Sequence, residues 1–233
     1  SPDAGSSMLD DNSLADIRAN NISLTTYLST IGASGRDIKV DTKSGSLTID
    51  SAENTHVLET SGDLALNTIS TGSAYTAFIA SPDSIVNGNA DDNASNILSG
   101  KTMLFADESI GTEIKPLRTT VGNLEGRATL GSVWVYNAGH VNVGGVSAAA
   151  GGMSAGGDVT IVASSPITIS ENITVTGSGA ISLLASPDVL IQDDILIKAG
   201  VALKTASGNI ELEAGDNIVL EFGASITAGD ISN

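Results

Sequence analysis

Few side chains in this chain are of a type that does chemistry, and their spacing narrows the options. Glu171, Asp193, Asp194 and Asp216 recur at about 22-residue intervals. Carboxylates stacked along one edge repel, and a hard cation with a taste for oxygen ligands, Ca²⁺ above all, would relieve that repulsion. A calcium-binding edge is therefore one expectation, set against a solvated acidic edge screened by salt. The G-G-x-G-x-D nonapeptide of calcium-binding repeats is absent. Trp134 and Tyr136 stand at i and i+2, so on a strand they share one face, and exposed rings stack on sugars; glycan contact there is a second expectation. His56 and His140 are the only histidines, and neither falls in a Ser/His/Asp or zinc-ligand spacing. Asp91-Asp92, Asp193-Asp194 and Gly139-His140-Val141 are the nearest imitations of a hydrolase or lyase site. No cationic cleft accompanies them, and a negative groove repels polyuronate substrates. The expectation is a protein that is not an enzyme.

Charge and composition agree with that reading. Ten basic against 27 acidic side chains give a formal charge of −17. Nucleic acid, whose binding needs a basic footprint, and anionic membrane surfaces are not expected partners. No apolar run approaches the ~20 residues that cross a bilayer, so membrane insertion is not expected either. Cysteine is absent, which removes disulfides, thiolate metal sites and thiol nucleophiles. The chain is 41% hydrophobic but only 3% aromatic, so its interior must be built from Val, Ile, Leu and Ala. The opening Ser1-Pro2-Asp3, without Met or an apolar leader, reads as a processed or excised start.

The elements that position these residues are short and repeat. Apolar doublets at i, i+2 recur at Val159/Ile161, Ile167/Ile169, Ile173/Val175, Ile181/Leu183, Val189/Ile191, Ile195/Ile197, Ile210/Leu212 and Ile218/Leu220. Period two marks strands with one buried face. The doublets return in register: Val159 leads to Ile181 and then, at the same spacing, to Leu203; Ile167 leads to Val189, and Ile173 to Ile195. Three columns sharing one 22-residue period describe a three-sided coil. Between the doublets stand turn-forming residues: Ser165-Pro166, Ser186-Pro187 and Ser207-Gly208 in one column, Glu171-Asn172, Asp193-Asp194 and Asp216-Asn217 in another, Gly177-Ser178-Gly179, Ala199-Gly200 and Gly223-Ala224 in a third. A single coil buries too few side chains to offset its own ordering and needs neighbours above and below. The expected fold is thus all-β, one right-handed parallel β-helix of about ten coils, continuous over 1–233, with less regular coils and loop insertions over 1–157 and regular coils over 158–233. Residues 87–95 and 147–157 read as loops, and 20–24 as a corner and strand in preference to a short capping helix. A longer internal copy relates His56–Leu66 to Val133–Val143, and Ile31-Gly32 and Ile38 to Ile110-Gly111 and Leu117.

The units Gly62-Asp63-Leu64-Ala65-Leu66, Gly157-Asp158-Val159-Thr160-Ile161 and Gly208-Asn209-Ile210-Glu211-Leu212 share a G-(D/N)-hydrophobic-x-hydrophobic form. With Asp16–Leu24 and Ile31-Gly32 they resemble the repeats of filamentous-haemagglutinin-like large bacterial surface adhesins. The resemblance implies a secreted, surface-displayed shaft and carries over no catalytic residue. The functional expectation is an extracellular structural or adhesive filament segment whose partners are further repeats or copies stacked end to end, and surface glycans. The alternative is a carbohydrate-binding or polysaccharide-degrading β-helix. The C-terminal coil lacks a polar or helical cap, so either more chain or another subunit is expected against it.

Overall fold

A computed structural model describes residues 14–148, 151–186 and 193–229. Within them the chain is a single all-β domain without helix, a parallel β-solenoid of about nine turns with coils of roughly 23 residues. Every strand pairing is parallel; the sole antiparallel contact among the described residues is a one-bridge turn between Ala33 and Arg36. One column can be followed through all the coils: Ile22 to Leu47, then the strand Leu64–Ser70, then Ile85, Ile110, Val133, Val159, Ile181 and Ile210.

Alternation does what period two requires. In Val133–Asn137, Val159–Ala163 and Ile181–Ala185 the odd-numbered residues are buried and the even ones half-exposed. The inward residues form one continuous apolar core from Ile22 to Leu203. Residues 20–24 are corner and strand, with Ile22–Thr26 extended, and residues 88–96 loop out between the strands Ile85–Asn87 and Ile97–Ala106.

The G-(D/N) units have a physical explanation. At the corner before the first column, a side-chain oxygen accepts the N–H of the equivalent residue one coil on. Asn21 accepts from Ser46 at 3.2 Å, Asp63 from Ser84 at 3.0 Å, Ser109 from Ser132 at 3.1 Å, Ser132 from Asp158 at 2.9 Å and Asp158 from Ala180 at 2.8 Å. Short Asp, Asn and Ser side chains suit this, because they reach a neighbouring amide without leaving the corner. The internal copy is equally concrete. Gly62 and Gly139 both hold positive φ, +81° and +85°. Gly32 and Gly111 hold +69° and +67°, and each brings its Cα against the carbonyl of a residue one coil on, His56 or Trp134. The two copies are about three and a half coils apart, so they lie on different faces of the column.

The three-column register fails after Ile181. Ile181 stands over Ile210, not Leu203; Ile167 over Ile195, not Val189; and Ile173 over Leu203, not Ile195. Ile181 to Ile210 is a 29-residue coil, with six more residues between Ala185 and Ile195 than between their partners Ala163 and Ile167. Val189/Ile191, read as a strand doublet, and Pro187 lie outside the described residues. The 22-residue period therefore breaks inside the stretch expected to be most regular. The corners shift with it: Gly179 packs against Gly157 above and Gly208 below, so Ser207-Gly208 joins the glycine column and Gly177-Ser178-Gly179 leaves the one holding Gly200 and Gly223.

Candidate functional site

The acidic edge is smaller than its spacing implied. Asp193, Asp194 and Asp216 do share a corner, directly one coil apart. Asp216 accepts the Asp193 N–H at 3.2 Å, and Asp194 Oδ1 accepts both the backbone and side-chain N–H of Asn217 at 2.9 Å. They cap amides of adjacent coils, the same device as at the first corner. Glu171 is not on this edge. It sits on the next corner, where its Oε1 accepts the Gly145 N–H at 3.2 Å and its carboxyl neighbours Glu125. The misplacement follows from the register error, since an insertion of several residues moves every corner after it. Asn172 lies on that other corner too, accepting the Ala202 N–H. Among the described residues no group of three or more His, Asp or Glu side chains converges to hold a metal ion.

Trp134 and Tyr136 occupy outward positions of Val133–Asn137, as their parity required, and both are half-buried. The Arg118 guanidinium already covers the Tyr136 ring, 4.6 Å from its centroid. Asp91 accepts the Asn93 N–H within its own loop, and Asp92 faces Lys115 at 3.5 Å. His140 is exposed at a corner. These groups do not come together.

A different set does. In-register pairing places His56 over Phe78, Phe78 over Met103 and Met103 over Glu125 on one outward row; Ala80, Phe105 and Arg127 form the row beside it. The His56 and Phe78 rings stack at 5.4 Å with 19° between planes, and Phe78 meets Phe105 at 5.5 Å. Arg127 lies over Phe105, 5.7 Å from its centroid. The row is walled at one end by the turn at residues 33–36 and Asp37, whose Oδ1 is 3.5 Å from His56 Nδ1. At the other end it meets Ser147, drawn in because the Val146 and Ser147 N–H groups donate to the Glu125 carboxylate. The result is an open depression of about 250 Å³. Its sequence signal was present: His56 and Phe78 are separated by one 22-residue period, and two of only three phenylalanines project from successive coils.

Burial shifts the protonation of His56 and Glu125 beside this depression and of Glu59, which faces the interior of the column. Desolvation holds the His56 imidazole below its ordinary value, outweighing Asp37, which acts the other way. Desolvation also raises Glu125 and Glu59 above the usual carboxylate range, although backbone N–H donors oppose it; Glu171 adds to the rise at Glu125. A raised folded-state pKa means that the folded chain holds the proton more tightly, so these two groups stabilise fully below the unfolded value near 4.5 and lose that contribution as pH rises through the folded value. His56 has the opposite sign: its depressed pKa favours the fold above the unfolded value of 6.5 and opposes it as pH falls. Each of the two carboxyls should contribute a rise in Tm as pH falls toward the unfolded value near 4.5, against which His56 contributes a fall below 6.5. Glu125→Gln keeps an acceptor for the loop amides and should flatten that rise, whereas an unchanged slope would assign the pH dependence to other groups.

The arrangement presents rings, a thioether and one carboxylate, surfaces that hold a ligand by shape, polarisability and charge. No helix of the described residues is long and apolar enough to cross a membrane. Compared with known proteins, the chain matches no family model, no characterised protein and no solved structure.

Proposed function

We propose that this chain is a non-catalytic segment of an extracellular bacterial shaft of the filamentous-haemagglutinin-like kind, built to space and present binding surfaces. One observation carries the reading. Ile218, Leu220 and Ile226 are 46%, 45% and 39% exposed, yet each stands in register under a fully buried residue, Ile195, Ile197 or Leu203. They point the way the interior residues of the column point, so the last described coil presents an apolar edge of the kind on which coils stack. A nine-coil unit at about 4.8 Å per coil adds about 43 Å of length, which is what a spacer supplies. The adhesive part of the reading rests on outward aromatic side chains, Trp134 and Tyr136 among them.

Antibody raised to the purified chain should label the outside of intact source cells, and electron microscopy should show the label on extended rods. Labelling only after permeabilisation overturns the surface assignment. The alternative reading, a polysaccharide-degrading β-helix, predicts release of reducing or unsaturated ends from acidic polysaccharides, and such release overturns the non-catalytic assignment. A binding module without turnover predicts retention on a polysaccharide column that Trp134→Ala abolishes.

A further inference from the structure

We propose that the depression over His56, Phe78, Met103 and Phe105 is a binding site for a small alkylammonium ligand, its cationic head against the rings and its charge answered by Asp37. This inference does not depend on the shaft reading. Asp37 is the one formally charged side chain lining the depression among the described residues. The remaining walls are two phenyl rings, an imidazole, a thioether, glycine and serine hydroxyls. Aromatic faces attract cations through their quadrupoles. Phe105 demonstrates that attraction inside the molecule, since it already draws the Arg127 guanidinium to 5.7 Å. The whole chain carries −17, and a field of that sign concentrates cations and repels anions.

Size and backbone chemistry favour a small molecule over a peptide. About 250 Å³ is below the ~300–1,000 Å³ of sites for drug-sized ligands, and it suits a single head group. The backbone N–H and C=O groups beneath the rings are spent on pairing along the column, coil to coil, so they offer no edge for an added strand. A ligand must be recognised by side chains alone.

Arg127 makes the inference testable against its obvious rival, an acidic saccharide. For an alkylammonium ligand this arginine is a competitor on Phe105; for a carboxylated or sulfated sugar it is the anchor. The test titrates the folded chain by NMR or calorimetry with choline, with 3,3-dimethylbutan-1-ol, which is its uncharged carbon isostere, and with an oligogalacturonate. Choline should bind at least about fivefold tighter than the isostere. Phe78→Leu with Phe105→Leu keeps the apolar bulk and should erase that preference. Asp37→Asn should weaken choline several-fold. Arg127→Ala, an exposed change that leaves the core untouched, should tighten choline about threefold. Equal binding of choline and its isostere overturns the proposal. So does oligogalacturonate binding that Arg127→Ala abolishes.

Discussion

Asn137→Ala is expected to cost about 3–5 kcal/mol of stability, among the largest single losses in the chain, because buried hydrogen-bonding groups left unpaired cost about 1–3 kcal/mol each. Asn137 is completely buried, at the inward position that follows Val133 and Val135. Its Oδ1 accepts from the Thr119 hydroxyl at 2.8 Å and the Val121 N–H at 3.0 Å. Its amide nitrogen donates to the His140 carbonyl at 2.9 Å and the Gly139 carbonyl at 3.1 Å, with the Ala138 and Val121 carbonyls at 3.3 Å. Two coils and one corner are thus pinned by a side chain that supplies two acceptor lone pairs and two donor hydrogens. Asn137→Asp keeps the shape but turns an ionised oxygen toward those carbonyls, and it should be nearly as damaging at neutral pH and less so in acid. Urea unfolding of the three proteins measures this; a loss below about 1 kcal/mol for Asn137→Ala would mean that water replaces the amide without penalty.

The second large effect is steric. A Cβ on Gly179 would lie 2.3 Å from the Gly157 carbonyl carbon and 2.5 Å from the Asp158 nitrogen, and one on Gly208 would lie 1.9 Å from the Gly179 oxygen. Both obstacles are backbone, which cannot swing aside as a side chain does. Gly179→Val is therefore expected to cost about 3 kcal/mol or more, at the upper end of overpacking penalties. The damage should be local. The bonds from the Val159 N–H to the Ala180 carbonyl at 2.8 Å and from the Ile181 N–H to the Asn209 carbonyl at 2.9 Å should open first, and those amides should exchange faster with solvent than amides three coils away. Gly139→Ala is the comparison. Nothing lies within 4 Å of its Cβ position, but φ is +85°, so only the left-handed backbone penalty of about 1–2 kcal/mol applies. Equal losses at Gly139 and Gly179 would show that coil-to-coil contact at the glycine corner is not limiting.

These two sites also mark how far the sequence could be read. Asn137 was legible in position, since parity with Val133 and Val135 puts it inside, but its partners are Thr119 and Val121 on the preceding coil and the carbonyls of its own corner. The tight stacking of Gly157, Gly179 and Gly208 was not legible. Glycine at a corner signals a turn of the chain, and whether it also marks a close approach depends on what the next coil places there. The aromatic depression was legible only in the 22-residue spacing of His56 and Phe78, for a related reason. Outward residues carry no burial pattern, so His56, Phe78 and Phe105 become a row only once the coils are set in register.

The residues alone dictate a local rule: apolar residues alternate in short strands, Asp, Asn, Ser and Gly turn the corners, and the units must stack because none can bury its own face. Side-chain alternation is a property of neighbouring residues, so it survives any change in the corners. Which unit stands over which emerges from the folded column. Coil-to-coil register is fixed by corner length, and a longer corner costs little closure entropy and leaves no mark on the doublets around it. The 29-residue coil between Ile181 and Ile210 is enough to move Glu171 to a different edge from Asp193, Asp194 and Asp216 and to dissolve the four-carboxylate site that an unbroken 22-residue period implied.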